Sequence, residues 1–319
     1  MQVGILYAIV AFIAWGLYPP YWKQLHMVPD LQLAFHRIVW ACAILGTHVL
    51  IKGEARAFLT GITSWRLVLT FVLSSALIFA NWYLLVLAVN AGFIVEAALG
   101  LFINPMFSVV FGVLVFHERL RRWQWVAVGL ALAGVVVCAV GYGKVPYIAL
   151  SMAISFAIYG VIKKKTTMLA RHGMLLETLL VCPFALTYLV YAEYTGIGAF
   201  LHGSPTTSVL LVGGGVVTIV PLLLFSMAAQ LIPLSLLGIL QYIAPTMQFL
   251  FGVLVYDEPL TTLKLTGFVL VWAALAVYSA EGLWQRTPKM PVVVDTTLVE
   301  ENDEDGTAEY KDAAPLSPV

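Results

Sequence analysis

Residues 105–120 read PMFSVVFGVLVFHERL, and residues 245–260, offset by 140, read PTMQFLFGVLVYDEPL. FGVLV recurs unchanged at 111–115 and 251–255, followed in each copy by Phe116 or Tyr256, by Glu118 or Glu258, and by Leu120 or Leu260. Trp15-Gly16 and Tyr159-Gly160 make a weaker match of the same kind. Chance explains such a repeat poorly, so the chain reads as two related halves. Both copies are strongly apolar, and so is the rest. Of 319 residues 61% are apolar and 11% charged, with a mean hydropathy of +0.94. A soluble domain carries about 25% charged and 45–50% apolar residues. The expected solvent is therefore lipid.

Spans of roughly 20 residues cross the hydrocarbon, and ten such segments can be marked: 3–22, 33–51, 67–89, 94–116, 123–142, 146–162, 173–193, 208–230, 235–256 and 263–283. The connections Asn90–Phe93 and Leu231–Leu234 are short enough to be tight hairpins. The first run has no basic region ahead of it and reads as a transmembrane helix, not a removable signal peptide. With the N-terminus cytoplasmic, twelve basic residues fall on the inner side: Lys52, Arg56, Arg66, Arg119, Arg121, Arg122, Lys163, Lys164, Lys165, Arg171, Arg286 and Lys289. Only Lys23, Lys144 and Lys264 fall outside, three against twelve. That bias places both termini inside and demands an even number of spans.

Five spans per half is odd, so the second half enters the membrane reversed. The charges after each copy agree. His117-Glu118-Arg119-Leu120-Arg121-Arg122 is basic, whereas Asp257-Glu258-Pro259-Leu260-Thr261-Thr262 has no base. The predicted fold class is an all-α polytopic membrane protein of ten transmembrane helices, arranged as two inverted five-helix repeats. The repeats cover 3–143 and 146–283, and an acidic tail at 284–319 is expected to be disordered and cytoplasmic. Inverted repeats are typical of secondary transporters, whose site lies at the midplane between halves.

Pro105 and Pro245 share one repeat position. Neither can donate to the carbonyl four residues back, Leu101 or Gln241, so both are read as helix-break positions lining a cavity. A charge at the bilayer centre costs about 2.5–3.5 kcal/mol on insertion scales, which singles out His36, Arg37, Glu96 and Glu177. Arg37 and Glu96 are expected near the outer ends of their helices, positioned to pair across an outer gate. Glu177 is expected one turn from the cytoplasmic end, facing an inner vestibule. Asn81, Tyr83, Asn90, Asn104 and Gln241, with the deep aromatics Trp15, Trp82 and Tyr242, are candidates for hydrogen bonds and ring contacts to a substrate. Trp65, Trp123, Trp125 and Trp284, near span ends, read as interface anchors. Gly129 and Ala133 have the spacing of a close helix approach.

On these residues the chain resembles a RarD-type permease of the EamA branch of the drug/metabolite transporter superfamily, over about residues 4–283. The resemblance rests on Trp15-Gly16 with Pro19 and Lys23, His36-Arg37 with Trp40, Asn81-Trp82, and Ala88-Val89-Asn90-Ala91-Gly92. It continues in Glu96-Ala97-Ala98-Leu99-Gly100 and Phe102-Ile103-Asn104-Pro105. The second half adds Pro233-Leu234-Ser235, Leu240-Gln241-Tyr242-Ile243-Ala244-Pro245-Thr246 and Glu258-Pro259. It implies ten helices, two repeats and a central cavity in the bacterial plasma membrane. Phe93 departs from the family pattern, in which a histidine commonly follows Asn-x-Gly.

The expected activity is movement of a small organic solute by alternating access, with Glu96, Arg37 and Glu177 in substrate recognition, proton coupling, or both. The alternative is a passive facilitator or receptor-like protein. The expected partners are that solute and the bilayer. No cofactor or metal is called for. GxxxxGK[ST], HExxH and GxSxG are all absent, which argues against direct ATP drive and against an enzyme. The lack of a basic tract with interleaved aromatics argues against nucleic acid. Import or export, the solute and the oligomeric state are not encoded in any motif.

Overall fold

Lipid offers no partner to backbone N–H and C=O groups, so each span must satisfy them within itself, and helix follows. The computed structural model describes residues 1–90, 94–143, 145–202, 204–255 and 262–284, and among these it forms thirteen α-helices. They are α1 (Gln2–Gly16), α2 (Tyr18–Lys23), α3 (Asp30–Ile51), α4 (Ala55–Gly61), α5 (Trp65–Asn90), α6 (Ile94–Phe116) and α7 (Arg122–Tyr142). Then come α8 (Tyr147–Lys165), α9 (Ala170–Tyr194), α10 (Pro205–Leu231), α11 (Leu234–Gln241), α12 (Ile243–Val255) and α13 (Thr262–Trp284). Met1–Glu281 make one compact unit. The acidic tail, Phe93 and the Glu258 segment lie outside the described residues.

Nine stretches among the described residues are long and apolar enough to cross a membrane, and Leu265–Glu281 of α13 is a shorter tenth. The expected edges agree to within a few residues. Two spans are divided: α1 and α2 share the first, and α11 and α12 share Leu234–Val255. The first divides at Leu17, and Pro19 and Pro20 sit in the first turn of α2, where a missing N–H costs least. The second divides at Tyr242, three residues before Pro245, where the N–H of Tyr242 bonds back to the Ile239 carbonyl.

Pro105 behaves differently. α6 continues through it, so the two repeat prolines are not equivalent breaks. The reason is lateral support. α6 packs against α8 at Gly100, before the proline, and against Gly238 of α11 at Pro105, Ser108 and Val109. α6 ends instead at the repeated motif. His117 turns left-handed at φ 52°, and the Glu118 N–H bonds to the Gly112 carbonyl, closing the helix six residues back.

Large apolar side chains cover the outside, including Leu6, Leu114, Val140, Val209 and Leu254. In water such a surface is a liability; in lipid it is the expected one. Trp65, Trp123 and Trp125 are exposed at the starts of α5 and α7, where an interface would sit. Inside, Phe12, Phe71, Tyr159 and Phe225 anchor a core between α1, α3, α5, α8, α9 and α10. Phe102, Ile103, Tyr242 and Phe268 anchor a second, between α6, α7, α8, α11 and α13.

Helices approach most closely over glycine. A Cβ on Gly215 would lie 2.7 Å from the Trp40 Cβ and 2.8 Å from its carbonyl carbon, so α10 rides directly on the α3 backbone. Gly134 and Gly267 do the same for α7 and α13. Gly129 does not: Gly129 and Ala133 are both exposed, and a Cβ on Gly129 would meet nothing within 4 Å. The spacing marked the right helix but the wrong face. Gly215→Ala is expected to destabilise the protein by about 1–3 kcal/mol through overpacking. Gly129→Ala should stay within about 0.5 kcal/mol of wild type. Reversible unfolding in mixed micelles measures both, and equal effects would mean that the α3–α10 crossing can relax.

The connections gather at two ends. At one, Gln230 donates to the Met168 carbonyl, Lys164 donates to the Ile232 carbonyl at 2.6 Å, and Glu118 lies beside both chains. At the other, the Gln32 side chain donates to the Ile197 carbonyl (2.6 Å) and accepts from the Ala199 N–H (2.9 Å). These are called the Glu118 end and the Gln32 end.

Candidate functional site

Helical spacing turns one face of each of four helices toward a common cavity of about 380 Å³. α3 contributes Ala34, Ile38 and Ala41; α5 contributes Ser75, Phe79, Trp82 and Tyr83. α9 contributes Glu177 and Thr178, and α10 contributes Thr218 and Leu222, with Tyr159 of α8 completing the wall. Small residues on α3 leave the room that aromatic side chains on α5 partly fill. The volume lies within the roughly 300–1,000 Å³ range of small-molecule sites.

Glu177 is an acid in the cavity wall, with Asp30 a second among the lining residues, and it is not a vestibule carboxylate. It is buried, and its Oε1 lies 2.7 Å from the Lys163 Nζ. Both side chains are nearly inaccessible, at 6% and 2%. The Ser74 hydroxyl donates to the same carboxylate oxygen, and Ser75 donates to the Glu177 carbonyl at 3.2 Å. The ammonium also sits 5.1 Å from the centre of the Tyr159 ring and 5.5 Å from that of Phe71. Lys163 was counted from the sequence among the cytoplasmic loop bases. It is a core residue of α8, and it is the member of the buried charge pair that sequence reasoning missed. The available signal was phase: Lys163 lies one turn after Tyr159, on the buried face, while Lys165 is turned outward.

Arg37 stands beside the cavity, held by two residues that line it. Its Nε–H donates to Thr218 Oγ1 at 2.9 Å, and Thr218 in turn donates to the Gly214 carbonyl at 2.7 Å. Its guanidinium carbon lies 3.4 Å from the Trp82 ring centre and 4.5 Å from that of Trp22. Such stacking is worth about 2 kcal/mol or more when desolvated. The expected partner, Glu96, has its side chain outside the described residues, as does Asn90.

The remaining candidates are elsewhere. Asn81 donates to the Met152 carbonyl (2.6 Å) and to Ser155 (3.2 Å), joining α5 to α8. Gln241 donates to Ser108 at 3.1 Å, joining α11 to α6. Neither amide faces the cavity. Tyr242 is fully buried against Phe102, and Asn104 keeps a buried side-chain oxygen without a hydrogen-bond partner among the described residues. Trp15 packs among Phe12, Phe156 and Phe225 as part of the core. His36 is buried against Phe200 at 5.4 Å, outside the cavity lining. Of the expected constellation, Trp82, Tyr83 and Glu177 line one cavity and Arg37 borders it. Asn104, Gln241, Tyr242, Pro105 and Pro245 belong to a different region, on α6, α11 and α12.

Two further polar clusters lie at the Glu118 end. Arg171 clasps Glu54 with bonds of 2.7 and 2.8 Å, and His172 adds one at 2.9 Å. Those hydrogen bonds, from Arg171 first and His172 second, bring the Glu54 carboxyl down to about 2. Glu118 accepts the N–H groups of Leu234 (2.6 Å) and Ser235 (2.8 Å) at the start of α11, with Lys164 3.7 Å away. A carboxylate there satisfies two donors that no helical turn can reach.

A lipid-facing helical bundle around a chamber with buried charge in its wall is an arrangement that suits a membrane transporter. Residues 2–140 match the EamA-like transporter family. A transporter of Bacillus subtilis (strain 168), YojE, is 40% identical over 290 residues, covering 90% of this chain and 97% of its own. Protein RarD of Streptomyces exfoliatus is 42% identical over 285 residues, 88% of this chain and 90% of its own. The chain belongs to the EamA-like transporter family, among transporters and not enzymes. The same fold is seen in a solved crystal structure that is 16% identical, with a TM-score of 0.68 over 90% of this chain and 100% of that one.

Proposed function

We propose that this protein is a secondary transporter that moves a small organic solute across the bacterial plasma membrane by alternating access. The observation that carries the reading is the chamber itself. A cavity of about 380 Å³ has an arginine on its border and a buried Lys163–Glu177 pair in its wall, and charge so placed is costly unless it is used. Glu177 and Glu96 are the carboxylates available for proton coupling.

Two inverted halves, 3–143 and 146–283, would rock about this chamber. Supporting them is the FGVLV repeat. The Glu118 end faces the cytoplasm in this reading, with both termini inside. Burial of Lys163 leaves eleven basic residues against three in its favour.

The test is flux in proteoliposomes with a panel of labelled amino acids and aromatic acids, with and without an imposed pH gradient. Gradient-driven accumulation in wild type, lost in Glu177→Gln, is the expected result. Gradient-insensitive flux, equal in both proteins, would make the chain a passive facilitator.

A further inference from the structure

We propose that the chamber selects organic monoanions, an aromatic or apolar body carrying one carboxylate, with Arg37 as the anion-binding residue. The proposal rests on the transport reading and names the substrate class of that site. It begins from a charge count.

Glu177 is neutralised by Lys163 at 2.7 Å and accepts the Ser74 hydroxyl as well, so this part of the wall carries no net charge. Asp30, at the rim, is likewise engaged. Arg37 is the exception. Among the described residues no carboxylate lies within salt-bridge distance of it. Its Nε donates to the neutral Thr218 hydroxyl, the Tyr18 hydroxyl also interacts with the guanidinium, and its other neighbours are the ring faces of Trp82 and Trp22.

A guanidinium stacked over an indole keeps its hydrogen-bonding directions in its own plane. Nε is occupied by Thr218, and, the Tyr18 hydroxyl apart, the two terminal nitrogens have no hydrogen-bond partner among the described residues. That fork matches a carboxylate in bidentate geometry and has no match in an ammonium or a neutral amide. A guanidinium in a membrane interior is expensive without an anion, none stands beside it among the described residues, and a ligand carboxylate would supply one. The rest of the wall is built for the body of that ligand. Phe79, Trp82, Tyr83 and Tyr159 present rings, and Ile38 and Leu222 present aliphatic surface. A cationic solute meets the Arg37 charge with nothing left to offset it, and a zwitterion leaves its ammonium without a free carboxylate.

Four ligands that share one ring and differ in charge test this: indole-3-acetate, tryptophan, tryptamine and indole. Binding to the full chain in detergent is measured by calorimetry at neutral pH. Indole-3-acetate is expected to bind at least about tenfold more tightly than each of the others. Arg37→Gln should remove that preference, so that indole-3-acetate and indole bind this variant with similar affinity. Arg37→Lys should keep the preference for the anion at about tenfold lower affinity, because an ammonium lacks the planar fork. Equal or tighter binding of tryptamine or tryptophan overturns the proposal. So does undiminished indole-3-acetate binding in Arg37→Gln, or binding of none of the four.

Flux of the same compounds in proteoliposomes separates the two readings. Indole-3-acetate that binds through Arg37 but does not cross would leave the anion site standing and remove the transport function. Flux of tryptophan or tryptamine with weak indole-3-acetate binding would do the reverse.

Discussion

Lys163→Met is expected to cost about 3–5 kcal/mol of stability, the penalty for stranding one member of a buried ion pair. Glu177 would then lie at 6% side-chain exposure with, among the described residues, only the Ser74 hydroxyl on its carboxylate. It would have to take up a proton or draw water into the cavity wall. The double replacement Lys163→Met/Glu177→Gln removes both charges and keeps an acceptor for Ser74. It should recover most of the lost stability, since a buried pair contributes little over a well-packed neutral one. Reversible unfolding of the three proteins measures this. A single mutant within about 0.5 kcal/mol of wild type would mean that Glu177 is not held as a buried charge. The double mutant also divides structure from function. If the pair serves coupling, the double mutant folds yet shows no gradient-driven flux.

Glu118→Ala is expected to cost about 3 kcal/mol, since charge-assisted hydrogen bonds contribute roughly 1.5–3 kcal/mol each and two are lost together. The N–H groups of Leu234 and Ser235 would be left at the start of α11, and Lys164 would lose its carboxylate neighbour. Glu118→Gln keeps an acceptor without the charge and should cost about half as much. Unfolding in mixed micelles gives both values. Equal stability for Ala and wild type would show that water already serves these donors. The same contact explains the letters of the repeat in its first copy. A Cβ on Gly112 would stand 2.6 Å from Glu118 Oε2 and 2.8 Å from the Ser235 nitrogen, so glycine and glutamate are parts of one joint.

The candidate residues divide by how local their evidence was. Arg37, Trp82, Tyr83 and Glu177 were found because a charge or polar aromatic deep in an apolar run is anomalous wherever its neighbours lie. Asn81 and Gln241 carried the same anomaly but use it in bridges between helices, to Met152 and Ser155 in one case and to Ser108 in the other. Sequence cannot separate a polar group that awaits a ligand from one already satisfied across an interface. Lys163 failed in the opposite direction. In a run of three lysines at a span edge, each reads as an interfacial cation, and one of them is a core residue.

By itself the sequence determined the class, the spans and their edges, because transfer of a segment into lipid depends on that segment's own length and side chains. It also marked the joint of the first copy, since seven residues of local geometry at 112–118 set it. Which face of each helix meets which neighbour was decided only in the tertiary structure. A few tens of degrees of rotation about a helix axis leave the hydropathy of a span unchanged. The same rotation decides that Lys163 meets Glu177, that Arg37 stacks on Trp82, and that Gly215 touches α3 while Gly129 touches nothing.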